Sequence, residues 1–518
     1  MKRKIFFILL LLGIIGIIDS SYLTYEHYAN VIPPCTVNNI LPFFNDCGQV
    51  LRSRYAVIFG VPLALLGLIH YTILTLVIGL AISTNKKLWW FWLFFQTAAG
   101  AFFSVYLMYL QLFVIKSLCL YCTLSALTSF ILFFLAFIWL EYERKTFFIY
   151  ALGWKYRNII KPIFFMFNPE HIHNFMVNMG QLMGMIAPLK KLLGFFLRSH
   201  HPILSQDIAG IHFSKPIGLS AGFDYEAKLT QILPCIDFGF ETVGTITNHP
   251  YEGNPKPMLG RLPKSKSLMV NKGFKNLGSR DTVWKLRNLH FEIPLGISIG
   301  RTNGIKNMTQ KQSVEDVVQA FKKFENSDVI NSYYELNISC PNLFGDISFY
   351  PPKNLQELLN AIGKLNVRKP VFVKMPIEKT DRETLEMLEI ISKYKFIKGV
   401  IFGNLQKNRK DRSLDPQEVK KWKVGNFSGK PCEKRSNEFI KLAYGKYKKR
   451  FIIIGCGGVF SGSDAYRKIR LGASLVQLIT GMIYQGPALI AQINFELAEK
   501  LKQDGYKHIS EAIGADNN

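Results

Sequence analysis

Two pairs of cysteines near the start of this 518-residue chain have the residue type and spacing that thiol–disulfide exchange requires. Cys119 and Cys122 form a Cys-x-x-Cys motif where a long apolar run begins, which predicts a reactive disulfide at a helix N-terminus. Cys35 and Cys47 lie earlier, in a polar loop. A loop pair can exchange with the Cys-x-x-Cys pair and relay electrons. The alternatives are structural disulfides or a chance motif.

A further thiol lies in the motif Asn-Ile-Ser-Cys-Pro-Asn at 337–342. The amides of Asn337 and Asn342 can hold a carboxylate or amide substrate, and the thiolate of Cys340 can take a proton. A single cysteine is more often buried and inert. The two flanking amides favour catalysis here.

The elements that must position Cys340 are short apolar runs separated by amphipathic stretches. The runs predict strands at 217–220, 242–245, 294–299, 334–338, 371–375, 400–402, 452–455 and 475–479. Eight strands alternating with helices over about 300 residues predict an α/β fold, the (β/α)8 TIM barrel. Functional residues of that fold lie where strands end, and Cys340 follows the fourth strand.

Glycines follow the last two of these strands. Gly457 and Gly458 follow the seventh strand, and Thr480 and Gly481 follow the eighth, where such barrels usually bind phosphate. The alternative is an ordinary tight turn.

Small residues and a lysine end two other strands. Ala221 and Gly222, after the first strand, would let a flat cofactor lie against the backbone. Lys374 ends the fifth strand, where its charge could stabilise a reduced flavin. The alternative for Lys374 is a salt-bridged barrel lysine.

Four apolar runs in the first part of the chain can cross a bilayer, which takes about 20 helical residues. They predict an α-helical four-helix transmembrane bundle with spans at 5–25, 57–82, 88–115 and 118–140. Basic residues at 2–4, 86–87 and 144–145 belong on the cytoplasmic side. Both cysteine pairs then face outward, where disulfides persist, and the C-terminal half is cytoplasmic.

The composition agrees with a membrane protein of several domains. It is 49% hydrophobic with a mean hydropathy of +0.13, which is too apolar for an ordinary soluble protein. The net charge of +26 does not indicate nucleic-acid binding, because the basic residues are dispersed and no such motif occurs; an anionic membrane surface explains it better. The cysteines of the C-terminal half lack metal-ligand spacing, so we expect no metal site.

The junction of the two halves is amphipathic. Apolar residues recur at helical spacing at 159, 160, 163, 164 and 167, with basic residues on the other side. The pattern is typical of a helix in a membrane surface, although a plain linker helix is the alternative. We expect a membrane domain at 1–143, a connector with membrane-associated helices at 144–205, and the barrel at 206–518.

Residues 1–143 resemble the vitamin K epoxide reductase family. The resemblance rests on segments 19–24, 47–50, 53–55 and 59–62 and on the Cys-Leu-Tyr-Cys motif at 119–122. It implies that Cys119 and Cys122 reduce a bound quinone and that Cys35 and Cys47 form the shuttle pair. Bacterial members drive disulfide formation in exported proteins, so we expect an exported thiol–disulfide partner.

The chain from 168 to about 487 resembles dihydroorotate dehydrogenase of the membrane-associated, quinone-using class. The matching segments include 218–224, 243–247, 253–257, 337–342 and 473–477. The resemblance implies flavin mononucleotide (FMN), and Cys340 as the base. It implies FMN contacts at Ala221, Gly222, Thr245, Ser298, Asn337, Lys374, Gly429, Gly457, Gly458, Thr480 and Gly481. It implies substrate contacts at Asn271, Gly273, Phe274, Asn342 and Asn404.

A Pro-Glu-x-x-His sequence at 169–173 matches the helix pair that carries quinone to the flavin in that class. The apolar stripe that fits a tunnel wall consists of Phe175, Met176, Met179, Leu182 and Met183. A core-facing stripe is the alternative.

This chain departs from the family pattern at several substrate contacts. Tyr225 replaces a lysine, Ser298 replaces an asparagine, and Cys340 stands where the membrane class generally has serine. One residue is missing near Asn271. The phosphate loops are intact, so the sequence supports flavin binding more strongly than dihydroorotate as the substrate.

The leading hypothesis is a bifunctional oxidoreductase in the inner (cytoplasmic) membrane. Its outer module transfers electrons from thiols to quinone, and its cytoplasmic barrel oxidises dihydroorotate, or a related ring, and also reduces quinone. One alternative is an FMN oxidoreductase for another substrate, with the membrane half as an anchor. Another is a non-catalytic, flavin-binding sensor.

Overall fold

The structure, a computed structural model, describes residues 2–31, 47–84, 87–305, 308–345 and 347–517. It divides into two compact units, Met1–Lys145 and Thr146–Asn518. Cys35 lies outside the described residues.

The described part of the first unit has four helices that are long and apolar enough to cross a membrane. These candidate spans are Phe7–Ala29, Leu63–Thr84, Leu88–Ile115 and Leu120–Phe137. They lie within the helices Lys2–Ala29, Leu63–Thr84, Lys87–Tyr109 with its π-helical continuation Leu110–Ile115, and Leu120–Lys155, and a short helix, Cys47–Leu51, precedes the second span. The four predicted apolar helices are confirmed.

The predicted start of the second span was wrong. The run at 57–82 begins with a hairpin, in which Val57–Ile58 pairs antiparallel with Val61–Pro62. Gly60 has a φ of 81°, so the chain turns there, and the helix begins only at Leu63. Hydropathy alone does not distinguish the apolar residues of this turn from those of the span.

The helix of the fourth candidate span continues beyond the span to Lys155. Residues 141–155 contain no proline, the residue that most effectively ends a helix. A π-helical turn, Tyr156–Ile160, and a short helix, Lys161–Met166, follow. The apolar residues at 159, 160, 163 and 167 are exposed, as expected of a helix in a membrane surface.

Close packing and hydroxyl contacts join the helices of the first unit. The Tyr71 hydroxyl donates to the carbonyl of Ser125 at 2.9 Å and lies 2.9 Å from the Ser129 hydroxyl. A Cβ at Gly16 would lie 2.3 Å from the Tyr71 ring, so glycine at this position lets the first helix pack closely against the helix that carries Tyr71. Small residues and hydroxyls serve this purpose where lipid provides no hydrophobic drive between helices.

Two amphipathic helices, Pro169–Met185 and Ala187–Leu197, precede the barrel. The Asn168 side chain caps the first, because its Oδ1 accepts the N–H of Glu170 at 2.8 Å. Proline fits the first turn, where its missing N–H has no partner to lose. Both helices leave large apolar side chains exposed.

Parallel strands, almost wholly buried, form a closed barrel in chain order. They are β1 Ile217–Leu219, β2 Phe240–Ile246, β3 Leu295–Ile299, β4 Tyr333–Asn337, β5 Val371–Met375, β6 Ile397–Phe402, β7 Ile452–Cys456 and β8 Leu475–Leu478. The predicted barrel and its eight strands are confirmed.

Helices follow the strands, and most of them cover the outside of the barrel. They are Gly278–Leu286, Gln310–Glu325, Pro352–Gly363, Asp381–Ser392, Pro416–Lys420, Glu433–Tyr447, Gly462–Leu471, Thr480–Gln485, Leu489–Gln503 and Ile509–Ala512. Thr309 and Thr380 begin two of them with capping boxes, which satisfy exposed N–H groups of the first turn.

Small antiparallel sheets complete the barrel unit. A hairpin of Gln206–Ile208 and Ile211–Phe213 packs against the ring of interior apolar side chains and closes the barrel's N-terminal end. Strands Leu259–Leu262, Ser267–Val270 and Asn426–Phe427 form a three-stranded sheet. This second sheet stands over the C-terminal ends of the barrel strands, where it helps to enclose the site.

A buried ionic network ties the start of the barrel to its end. The fully buried carboxylate of Asp237 accepts from Lys215 Nζ at 2.5 Å, from Ser199 N at 2.7 Å and from Asn494 Nδ2 at 2.9 Å. Asn494 belongs to the helix Leu489–Gln503. One carboxylate therefore joins segments far apart in sequence.

We expect Asp237→Ala to lower the free energy of unfolding of the barrel by about 3–5 kcal/mol, because it leaves the Lys215 ammonium buried without a counter-charge. Asp237 has a φ of 79°, so Asp237→Asn, which tolerates that conformation, should isolate the effect of charge. Unfolding in guanidinium chloride, monitored by tryptophan fluorescence, would measure the stability of both Asp237 variants. Asp207→Ala, which removes an exposed partner of His212, is the matched control and should change little. An unchanged midpoint for Asp237→Ala would contradict the prediction.

Candidate active site

Two adjoining cavities of about 140 and 90 Å³ lie at the C-terminal ends of the barrel strands. They share lining residues, among them Ala221, Lys374, Asn404 and Thr480. The predicted FMN contacts Ala221, Gly222, Thr245, Asn337, Lys374 and Thr480 line the larger cavity, and Gly429, Gly457, Gly458 and Gly481 line the smaller one.

Glycines shape the smaller cavity. Gly429, Gly457 and Gly458 have φ values of 81°, 95° and 74°, which side chains rarely adopt. A Cβ at Gly458 would lie 2.3 Å from the Cβ of Glu433, and one at Gly481 would lie 1.9 Å from the Val459 carbonyl oxygen. The backbone itself therefore forms this wall, as a phosphate group requires.

A buried charge pair lies below the junction of the cavities. Lys374 Nζ is 3.5 Å from Glu335 Oε1 and donates to Ser220 Oγ at 3.0 Å. Both charged side chains are at most 4% exposed. Lys374 lines both cavities, so its ammonium is available to a bound anion.

Ser298, a predicted FMN contact, lies beneath the two cavities. Its side chain is fully buried and lines neither cavity. Ser298 Oγ donates to Glu335 Oε1 at 2.7 Å and lies 2.9 Å from Thr245 Oγ1. Serine is shorter than the asparagine that the family has there, so it supports Thr245 and the charge pair from below instead of reaching a cofactor.

Cys340 lines the larger cavity beside Asn337, Asn342 and Asn404. Burial raises the pKa of its thiol to about 11, although the Asn342 N–H and the Lys374 charge oppose the shift. The thiol is therefore protonated at neutral pH. It can accept a proton only through a small thiolate fraction.

Of the predicted substrate contacts, Gly273, Phe274, Asn342 and Asn404 line the larger cavity. Asn271, the fifth predicted contact, does not line it. Its amide donates to the Pro255 carbonyl at 3.3 Å and accepts from Asn254 Nδ2 at 3.0 Å. Because the loop is one residue shorter than the family pattern, Asn271 supports the loop and turns away from the cavity.

Sequence reasoning missed Lys272, which also lines the larger cavity. Its Nζ donates to the Tyr225 hydroxyl at 2.9 Å. In the sequence, Tyr225 is recognisable only as the replacement of a lysine. The available signal was a basic residue in the shortened substrate loop, but nothing in the sequence shows that the two side chains meet.

An apolar cavity of about 100 Å³ adjoins the larger site cavity, with which it shares His173, Phe223 and Ile483. Burial and the nearby lysines Lys272, Lys228 and Lys275 lower the pKa of His173 well below its usual range, so its ring is neutral. The other lining residues include Tyr156, Phe164, Phe165, Ile172, Met176 and Arg261.

The side chains of the predicted tunnel wall lie in three different surroundings. Met176 lines the apolar cavity, but Phe175, Met179 and Leu182 do not, and they are 38–51% exposed. Met183 packs against the core. A wide apolar stripe covers more than one row of a helix, and here the row of Ile172 and Met176 faces the cavity while the next row faces outward.

The first unit has its own cavity of about 430 Å³. Its lining is mostly apolar and includes Asp19, His70, Tyr71, Gln111 and Cys122. Ionisable side chains within candidate spans are costly unless they serve a function, so this cavity is a candidate site.

The described cysteines of this unit meet beside that cavity. Cys47 and Cys119 belong to one buried cluster, and the partly buried Cys122 packs against it. Cys47 is disulfide-bonded, and the Cys122 N–H points to Cys119 Sγ at 3.5 Å. Cys119 N donates to Gln111 Oε1 at 3.0 Å. Cys122 lines the cavity and Cys119 does not, so the two thiols of the motif have different surroundings.

Comparison with known proteins separates the same two parts. The chain is 36% identical to the dihydroorotate dehydrogenase (quinone) of Christiangramia forsetii over 67% of its own length and 99% of that protein. The corresponding enzyme of Trichodesmium erythraeum is 33% identical, with 70% and 99% covered. A crystal structure of DHODH from Eimeria tenella with ferulenol superposes with a TM-score of 0.60 at 27% identity, covering 68% of this chain and 96% of that one.

Family models match both parts. Residues 7–137 match the vitamin K epoxide reductase family, and residues 203–501 match dihydroorotate dehydrogenase. The second match covers more than half of the chain. The chain therefore belongs to the dihydroorotate dehydrogenase family, and it carries a vitamin K epoxide reductase family segment before the barrel.

Proposed function

We propose that the barrel oxidises dihydroorotate to orotate, with FMN as cofactor and quinone as acceptor. The relatives that align with it are named for this activity. The observation that carries the proposal is the junction at His173, where the cavity that Cys340, Asn342 and Asn404 line adjoins an apolar cavity beside amphipathic helices. A polar reductant and a lipid-soluble acceptor require two such cavities.

The residues present fit FMN. Gly429, Gly457 and Gly458 leave the backbone open to a phosphate, and Lys374 supplies a cation. FMN held by these residues would supply the chemistry of hydride acceptance and of electron transfer to quinone.

Cys340 is the proposed base that takes a proton from carbon five of dihydroorotate. Its thiolate is needed for this step, and burial keeps the thiolate fraction small at neutral pH. Asn342 and Asn404 line the same cavity and can bind the polar groups of the ring. These residues hold the reacting carbon near the thiol.

The apolar cavity is the proposed quinone site. Arg261 and the neutral His173 are polar groups there that can bind a quinone carbonyl. The exposed apolar side chains of the two preceding helices would insert into the bilayer and open this cavity to lipid.

The first unit is proposed to oxidise thiols and reduce quinone. Its large apolar cavity would hold the quinone beside Cys122, and Cys119 would exchange with Cys47 in their shared cluster. Closing the Cys119–Cys122 disulfide releases two electrons and two protons, which convert quinone to hydroquinone. Cys35 would complete the shuttle pair that accepts electrons from an exported thiol protein.

Both activities would use one quinone pool in a bacterial inner membrane. The basic residues beside the candidate spans favour a cytoplasmic barrel and an outward-facing cysteine cluster.

The central test is anaerobic reduction of the flavin by dihydroorotate in the purified full chain. We expect the flavin absorbance to bleach, with a rate constant that rises from pH 7 to pH 10, because the thiolate fraction of Cys340 rises as pH approaches a pKa of about 11. Cys340→Ala should slow the step by about 10²–10⁴-fold, and Cys340→Ser should shift its pH dependence. Bound flavin that dihydroorotate fails to bleach would instead indicate another substrate.

Met176 and Met179 provide a matched test of the quinone site, because both are partly exposed methionines but only Met176 lines the apolar cavity. Met176→Asp should slow reoxidation by a short-chain quinone at least tenfold and spare flavin reduction. Met179→Asp should spare both steps. Stopped-flow absorbance measures each half-reaction, and equal effects of the two variants would place the quinone elsewhere.

Cys119 and Cys122 can be tested without the barrel reaction. Cys122→Ala should abolish disulfide formation in an exported reporter protein of a host that lacks its own disulfide-forming enzyme. Flavin reduction by dihydroorotate should stay unchanged in the same variant. The buried Cys235, which lies outside both proposed sites, gives a control as Cys235→Ala. If the reporter were still fully oxidised in Cys122→Ala, the membrane unit would serve only as an anchor.

A further inference from the structure

The lysine that the family has at position 225 is absent, yet a lysine ammonium lies at that point of the site. Lys272, from the shortened substrate loop, extends across to Tyr225. Its Nζ lies 2.9 Å from the phenol oxygen and 4.2 Å from the ring centroid. Both residues line the larger cavity.

The surrounding loop holds Lys272 in this place. Gly273 and Phe274 have positive φ values of 61° and 66°, which form a sharp turn directly after the lysine. A Cβ at Gly273 would lie 2.3 Å from Asn254 Oδ1. Asn254 also donates to Asn271 Oδ1 at 3.0 Å and accepts from the Tyr251 hydroxyl at 2.7 Å. The turn is therefore fixed by packing and hydrogen bonds.

The ammonium of Lys272 has no matching anion in the described part of the chain. Within it, no carboxylate lies in ion-pair contact with Nζ; Glu170 and Glu226 act only at longer range, and Lys275 repels it. Burial first, and then Lys275, lower the pKa of Lys272 to about 7. A partly buried cation beside a neutral phenol is a site for an anion.

We propose that Lys272 binds the carboxylate of the substrate, in place of the lysine that the family has at position 225. The inference rests on the proposed oxidation of dihydroorotate, a carboxylate-bearing ring. Tyr225 orients the ammonium by accepting its hydrogen bond and by presenting its ring face. A substrate carboxylate supplies the missing counter-charge and keeps Lys272 protonated. In this chain the positive charge that the family has at position 225 is thus supplied by Lys272, from a different loop.

The test compares an acid with its uncharged ester. Anaerobic flavin reduction is measured in the full chain with dihydroorotate and with its methyl ester. In Lys272→Ala we expect the dissociation constant for dihydroorotate to rise about 10–100-fold, the usual range for a lost charge-assisted hydrogen bond. The constant for the ester should change little. A lysine that only packs against Tyr225 would affect acid and ester alike, and that result would overturn the proposal.

Second-site variants keep the test independent of folding. Lys272→Ala combined with Tyr225→Lys returns a cation from the other loop and should recover most of the affinity for the acid. Lys272→Arg should retain part of it. Lys228→Ala removes a nearby lysine that pairs with Glu226 and lies outside the larger cavity, so it should leave both ligands unaffected. Flavin content, read from absorbance, reports whether each variant is intact.

Orotate binding separates this inference from the proposed reaction. Orotate should perturb the flavin spectrum of the wild type. The dissociation constant obtained from this spectral change should be about 10–100-fold higher in Lys272→Ala. If dihydroorotate does not bleach the wild-type flavin but orotate binding depends on Lys272, the reaction assignment fails and the carboxylate site stands. Orotate binding that is absent, or equal in both proteins, overturns the carboxylate site.

Discussion

The buried pair of Lys374 and Glu335 is the constraint on which the barrel's mouth depends. In the strand pairing, Glu335 stands opposite Ser298 and Asn337 stands opposite Lys374. A slip of one residue between these strands would turn Lys374 away from the barrel interior and leave Glu335 unpaired, at a cost of several kcal/mol. The charge pair therefore fixes the register of β3, β4 and β5. It thereby fixes the position of the strand ends that carry the cavity residues.

The chemistry above this pair depends on how the surrounding charges are distributed. Lys374 has an acidic partner, so it is stable without a ligand, whereas Lys272 has a neutral one. The neutral His173 lines both the cavity of Cys340 and the apolar cavity, and it adds no further charge to either. In the first unit, the mostly apolar cavity with Cys122 on its wall follows the same principle.

The sequence predicted the elements of regular structure well, because buried strands bounded by glycines and long apolar helices follow directly from hydrophobic periodicity. The sequence was a poorer guide where contacts between distant residues determine the position of a segment or a side chain. The hairpin before Leu63 is as apolar as the span that it precedes. The stripe at 175–183 shows which residues avoid water but not which row of the helix meets a cavity. Ser298 and Asn271 lie where the family has contact residues, yet a shorter side chain and a shorter loop remove them from the cavity surface. The meeting of Lys272 with Tyr225 spans 47 positions and leaves no local pattern.

That meeting also has an evolutionary consequence. A lysine at both positions would place two cations side by side in one cavity, and a lysine at neither would leave a carboxylate ligand unmatched. Each single exchange from one arrangement to the other therefore passes through a less fit intermediate. We expect related chains to change the two positions together with the length of the loop before Gly273. Covariation among these three features would then mark a distinct lineage of such enzymes, which could be recognised from sequence alone.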